Sequence, residues 1–413
     1  MTHVVRHITE HGRDLLAHFP VTVIQGARQV GKSTLAQLLA SQHESVVVSL
    51  DDDEALAAAD ADPVGFVSQA GDGLLVVDEV QRRPELLRTI KASVDRDRRP
   101  GRFLLTGSAN LLRVKGETDS LAGRAVSLRL RGFSQGEMRG QRDDLIGAIR
   151  LGRDIAGFTT EWRRGDYAAA MARGGFPEVG VLPDRLRRVW LEGYAERVLQ
   201  RDATELPGAS QFERLRVVAR LLAANQAGEL VKGRVAEQAA IPAASFQPYL
   251  DALESIYMVE VLRPWTPNLT QREIGRAKAF IEDSALAMRL GGTSEAELSA
   301  LTSRPFGGLL EALVASELLK QQGWTEEPFQ LYHYRERTGP EVDLVVELES
   351  GGVIVLEVRA SSTYKSDQFR SLEFLRERLG DRFVGGFVLG TAAHGFRHSD
   401  RLWGLPIAAL WEM

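Results

Sequence analysis

The 413-residue chain contains no cysteine. That excludes disulfide frameworks, Cys-ligated zinc, iron–sulfur clusters and thiol catalysis. It also lacks a charge excess: 51 Lys+Arg against 56 Asp+Glu leave a formal −5. No global basic field therefore advertises nucleic-acid or membrane binding. No apolar run approaches the roughly 20 residues of a membrane span, and the first ten residues, MTHVVRHITE, lack the apolar core of a secretory signal. A cytoplasmic protein without a membrane partner is expected. Its 44% hydrophobic and 26% charged residues suit a globular chain, long enough for several domains at roughly 100–200 residues each.

The pattern changes twice along the chain. Residues 1–135 read as α/β: apolar runs at 21–25, 45–50, 73–77, 103–106 and 125–130 alternate with helical stretches such as 32–42. Short apolar strands separated by helices predict a parallel sheet covered on both faces. Residues 131–160 have little periodicity and read as a linker. Across 136–270 the spacing predicts helices at 184–204, 211–226, 233–240 and 244–256, then a short strand from Val259. Helix, turn, helix and strand resemble a winged helix-turn-helix. Residues 271–413 return to α/β, with helices at 307–321 and 366–379 and strands at 330–334, 341–348, 353–359 and 383–389.

The first region carries the most specific signal. Gly26, Ala27, Arg28, Gln29, Val30, Gly31, Lys32 and Ser33, followed by Thr34, fit the P-loop pattern of glycine, four residues, then Gly-Lys-Ser. Glycines let backbone N–H groups curl around phosphates, and the next helix points its positive end at the anion. Lys32 would reach the β- and γ-phosphates of ATP, and the Ser33 hydroxyl would ligate Mg²⁺. Forty-six residues after Lys32, an apolar strand ends in Asp78-Glu79. Asp78 would hold the Mg²⁺ through water, while Glu79 would orient and deprotonate the attacking water. The strand from Phe103 ends in hydroxyl and amide groups, so Ser108, with Asn110 as substitute, is the candidate sensor of the γ-phosphate.

These motifs, with Ser-Leu-Ala-Gly-Arg at 120–124, Gly174-Gly175-Phe176-Pro177-Glu178 and Glu341-Val342-Asp343, resemble the bacterial and archaeal AAA-family ATPases that carry a C-terminal domain of unknown function. The resemblance implies that Arg124 completes the ATP site, in its own subunit or in a neighbour's within a homo-oligomer. Arg197 and Arg201, one helical turn apart, are further phosphate candidates, or a solvated face paired to Asp202 or Glu205.

Glu311 on a helix, Asp343 on one strand and Glu357-Val358-Arg359 on the next resemble the PD-(D/E)xK nuclease core. Strand alternation puts residues 357 and 359 on one face, yet arginine stays protonated where that chemistry uses lysine. Lys365 is the candidate to migrate into the role, with Gln368 beyond it. The last region is also the most acidic, with 16 Lys+Arg against 21 Asp+Glu, which disfavours nucleic acid there. A nuclease-like domain without cleavage is expected.

Weaker signals complete the reading. His3, His7 and His11 would share one helical face, more as an amphipathic helix than a metal site. Asp51, Asp52 and Asp53 suit a helix cap. Ser245, Gln247 and Tyr249 would face a DNA groove, although no Lys or Arg lies between 244 and 256. Three functional readings follow: an ATP-driven switch acting on a protein or nucleic-acid partner, an ATP-dependent nuclease, and a nucleotide-regulated DNA-binding protein.

Overall fold

The computed structural model describes residues 4–108, 121–200, 212–267, 270, 272, 275–336 and 339–413. They form two compact units, residues 1–132 with 255–257, and residues 133–254 with 258–413. Residues 255–257 apart, the expected middle and C-terminal regions fall in the second unit. Among the described residues no helix is long and apolar enough to cross a membrane.

The first unit runs α1 (Thr9–His18), β1 (Val21–Gln25), α2 (Lys32–Ala40), β2 (Ser45–Ser49), α3 (Asp53–Ala61), α4 (Pro63–Ser68), β3 (Leu74–Asp78), α5 (Leu86–Arg96), β4 (Phe103–Gly107) and β5 (Ala125–Arg129). The five strands pair in the order β2-β3-β4-β1-β5, all parallel. β1 and β4 are buried along their whole length, whereas the edge strands β2 and β5 are only partly covered. That is why the inner runs are mostly apolar while serine and arginine appear at the edges. On α5, Leu86, Leu87, Ile90 and Val94 bury one stripe at helical spacing, each contributing roughly 1.5–3 kcal/mol. Side by side in the sheet, β3, β4 and β1 bring the segments after Asp78, Gly107 and Gln25 to one edge.

The histidines do not form the expected face. α1 begins only at Thr9, so His7 precedes the helix that carries His11, and His3 lies outside the described residues. Asp52 is the N-cap of α3, accepting from Glu54 and Ala55 N–H, while Asp51 pairs with Arg82.

The second unit begins where a linker is expected, and the structure corrects that expectation. Residues 131–160 contain α6 (Gln135–Arg139) and α7 (Leu145–Arg150). Ser134 and Glu137 form a capping box on α6, and Asp144 caps α7 through Gly147 N–H. Both starts are also held from a distant helix: Glu317 accepts from Gln135 N–H at 2.8 Å, and Gln321 from Leu145 N–H at 3.0 Å. Helices of five and six residues show no periodicity to read, and their partners lie about 180 residues away.

Next come α8 (Arg164–Arg173), α9 (Asp184–Val198), α10 (Phe212–Ala224), β6 (Gly228–Glu229), α11 (Lys232–Gln238), α12 (Phe246–Ser255), β7 (Val259–Leu262) and β8 (Lys278–Ile281). The strands make a small antiparallel sheet in the order β6-β8-β7. Tyr249 is buried, while Gln247 accepts from Lys232 Nζ at 2.7 Å and donates to Asp251 at 2.8 Å. Neither side chain is free to face a groove.

After α13 (Ser284–Gly291) and α14 (Glu295–Ser299), α15 (Phe306–Gln321) buries twelve of its sixteen residues, as a helix apolar on all sides must. It precedes β9 (Phe329–Arg335), β10 (Glu341–Leu348), β11 (Val353–Val358), α16 (Arg370–Leu379), β12 (Phe383–Gly390), β13 (Phe396–Ser399), β14 (Leu402–Pro406) and α17 (Ala409–Glu412). The sheet order is β13-β14-β12-β11-β10-β9. β9, β10 and β11 form an antiparallel meander, and β11, β12 and β14 run parallel. The strands β13 and β14, too short and mixed to read as periodic, extend the sheet beyond the expected four.

Candidate functional site

The glycine loop between β1 and α2 has the backbone its sequence requires. Gly31 lies at φ 96° and Gln29 at φ 64°, both left-handed. A Cβ on Gly26 would stand 2.0 Å from the Leu130 carbonyl oxygen, so only glycine lets the loop leave β1 there. Lys32 starts α2, is buried, and donates from Nζ to the Ala27 carbonyl at 2.9 Å. Arg6, which the motif does not include, donates from Nη1 to Val30 O at 2.9 Å and from Nη2 to Arg131 O at 2.7 Å.

The strand-end acids converge on this loop. Ser33 Oγ donates to both Asp78 oxygens, at 2.9 and 3.0 Å. Thr106 on β4 donates to Asp78 Oδ1 and accepts from Glu79 N–H at 3.1 Å. One threonine thereby fixes the end of β3 from the neighbouring strand, a contact no motif announces. Glu79 itself has φ 57°, which turns the chain sharply as β3 ends. Its Oε2 accepts from Gln81 Nε2 and, at 3.3 Å, from Ser108 Oγ; Gln81 Nε2 also donates to Ser108 Oγ at 2.9 Å.

Ser33 and Asp78 offer the hard oxygen donors that Mg²⁺ takes, and that ion normally completes its shell with phosphate oxygens and water. No group of three or more His, Asp or Glu placed to hold a metal by itself occurs among the described residues.

Arg124 is not joined to this group. Its guanidinium makes a two-point pair with Asp95 on α5, Nε–Oδ1 2.6 Å and Nη2–Oδ2 3.0 Å, and Nη1 donates to Ala122 O. Arg197 sits exposed on α9. Asn110, Ser120, Arg201, Asp202 and Glu205 lie outside the described residues.

A second cluster lies inside the second unit. Glu311 and Asp343 share one cation, Lys278 at the start of β8. Its Nζ is 2.7 Å from Glu311 Oε1 and 3.3 Å from both Asp343 Oδ1 and Glu341 Oε1. Burial opposes the charge on Lys278, but Glu311 and Asp343 outweigh it and raise its pKa. Burial, reinforced by Asp343, pushes Glu311 well above the carboxylate range and Glu357 up to about 8. Glu357 pairs with Arg359 through Oε1, while its buried Oε2 has no hydrogen-bond partner. Asp343 Oδ2 accepts from Val358 N–H at 2.9 Å.

Lys365 does not join them. It is exposed, and its backbone N–H donates to Gln368 Oε1, which caps the turn Ser366–Phe369. Lys278 carries no sequence signal for its role, since it is 33 residues from Glu311 and on a strand of another sheet. The Gly174-Gly175 pair is architectural: a Cβ on Gly174 would meet Asp283 Oδ1 at 2.7 Å, and Gly175 N–H donates to Asp283 at 2.7 Å.

Residues 18–139 match the family model described as an AAA domain, and residues 164–297 and 306–410 match two domains of unknown function. Uncharacterized proteins of Mycobacterium tuberculosis and Mycobacterium bovis are each 29% identical over 352 residues, covering 85% of this chain and 73% of theirs. Among solved structures, a Walker-type ATPase of Pyrococcus abyssi aligns at 16% identity and TM-score 0.40, covering 68% of this chain and 94% of that one. The Holliday junction branch migration motor of Thermotoga maritima aligns at 18% identity and TM-score 0.31, covering 67% and 92%. The AAA-domain match spans the glycine loop and the Asp78-Glu79 pair, and supports an AAA-type P-loop ATPase unit in residues 18–139.

Proposed function

We propose that the first unit binds ATP with Mg²⁺ on residues 26–34 and hydrolyses it, and that the second unit conveys the resulting change to a protein or nucleic-acid partner inside the cell. The observation that carries this reading is the Ser33–Asp78 hydrogen bond, with Glu79 one residue further along. Loop N–H groups and the start of α2 would hold the phosphates. Lys32 would exchange its Ala27 carbonyl for β- and γ-phosphate oxygens. Bound magnesium supplies neutralisation of the phosphate charge. Glu79 would take the proton of the attacking water at Oε1, the oxygen that Gln81 and Ser108 leave open. Ser108 would report the γ-phosphate to Glu79.

Lys32→Ala tests the site. ATP turnover should vanish, and unchanged hydrolysis would remove the assignment. Measuring turnover with and without single- and double-stranded nucleic acid then identifies the partner class, because the true partner should stimulate it.

The nuclease reading rests on Lys278 beside Glu311 and Asp343. It is the weaker reading because that ammonium is already engaged by three acidic side chains and its region is acidic. DNA cleavage with Mg²⁺ or Mn²⁺ that disappears in Asp343→Ala would reverse the order. The DNA-reader alternative loses support from buried Tyr249 and the occupied side chain of Gln247.

A further inference from the structure

The turn after β3 holds a side chain that the nucleotide motifs do not assign. Gln81 lies in a single 3-10 turn, Val80–Arg82, immediately after left-handed Glu79. Buried Val80 pins this turn, and Arg82 N–H closes it on the Glu79 carbonyl at 3.0 Å. The reversal lets the Gln81 carboxamide reach back to the Glu79 carboxylate and across to Ser108 beyond β4.

The orientation of that amide is fixed by chemistry. An ionised carboxylate only accepts, so the Gln81 atom against Glu79 Oε2 must be the NH₂ group. Its carbonyl oxygen is consequently turned into a buried position where it has no hydrogen-bond partner. An unsatisfied buried acceptor destabilises the fold. A glutamine serving only to fill space would be replaced by an apolar side chain at lower cost. This one retains its amide against the carboxylate that the ATPase reading makes the base.

We propose that Gln81 is a positioning residue for ATP hydrolysis. Its N–H clamps Glu79 by Oε2 and ties it to Ser108, so that Oε1 alone is presented to the attacking water. The inference rests on the ATPase reading and deepens it. Proton transfer is sensitive to sub-ångström placement of the base, so losing the clamp slows the chemical step without changing nucleotide affinity.

The test uses the full chain with Gln81→Leu and Gln81→Met, both of which remove the amide donor without adding charge. Both variants should lower kcat by about tenfold or more, with KM for ATP and Kd for ADP within about twofold of the parent. Thermal unfolding should not fall below that of the parent, which separates positioning from a structural role. Turnover within twofold of the parent in both variants, while Glu79→Gln is inactive, would overturn the role of Gln81 and leave the ATPase reading standing. A rise in KM and Kd with kcat preserved would also overturn it, by making Gln81 a binding residue. A parent protein that does not hydrolyse ATP would remove both the reading and this inference.

Discussion

Lys278 Nζ stands 2.7 Å from Glu311 Oε1 inside the second unit, joining the first residue of β8 to the middle of α15. Asp343 and Glu341 on β10 each lie 3.3 Å away. A single ammonium thus connects the small antiparallel sheet, a buried helix and the large sheet. Taking charges out of water is costly, so the arrangement holds only while partners remain matched.

Removing that cation should therefore be severe. Lys278→Met keeps most of the side-chain volume and leaves its carboxylates without their shared partner, at a cost of about 3–5 kcal/mol. Urea unfolding of the second unit reads the loss. Adding Glu311→Gln to Lys278→Met should recover part of it; no recovery would mean that the two groups are not energetically coupled.

Stability should also fall with alkalinity. Glu357 titrates near 8 in the folded chain against an ordinary 4.5, because burial holds its proton. Above 4.5 the unfolded chain has lost a proton that the folded chain keeps, so stability present at low pH disappears as pH rises through 8. Burial lowers His333 from 6.5 to about 4, and this opposes the trend up to 6.5. The clear window is therefore pH 6.5–8. Glu357→Gln should flatten the decline there, and identical pH profiles for parent and variant would refute the assignment.

At the proposed nucleotide site, Ser33→Ala deletes one of the two hydroxyls that hold Asp78. The Mg²⁺ concentration for half-maximal ATP turnover should rise about tenfold, corresponding to loss of one charge-assisted contact of roughly 1.4 kcal/mol. An unchanged magnesium titration would place the metal elsewhere.

Glu79→Gln should bind ATP like the parent while losing about 10²–10⁴ in kcat, the usual contribution of a general base. Binding by fluorescence and turnover by phosphate release separate the two effects. Full turnover in this variant would exclude Glu79 as the base.

Arg124→Ala discriminates between two roles. Because the guanidinium is engaged with Asp95, turnover should stay within about twofold, since a partly exposed ion pair adds little. A loss of tenfold or more, rescued by mixing with Glu79→Gln subunits, would instead show an arginine acting across two copies of the chain.

Much of the first unit was legible because its signals are local. The P-loop is contiguous, its glycines answer to backbone geometry, and continuous apolar strands belong to a parallel sheet buried on both faces. Expected strands at 21–25, 45–50 and 103–106 correspond to Val21–Gln25, Ser45–Ser49 and Phe103–Gly107. Thr106 escaped notice because its partner Asp78 lies on the neighbouring strand, 28 residues away. The linker reading of 131–160 failed because α6 and α7 depend on Glu317 and Gln321.

The sequence alone determined the local pattern: Gly-Lys-Ser after a strand and Asp-Glu ending another, the residue types that the proposed phosphate cradle and oxygen-ligated cation require. Tertiary structure decided which groups meet. It put Lys278, rather than Lys365 or Arg359, against Glu311 and Asp343, and it gave Arg124 to Asp95. Backbone conformation and strand burial are encoded over a few residues, whereas a charge partner is chosen by how distant segments pack, since a buried ion must be matched by whichever opposite charge the fold brings within reach.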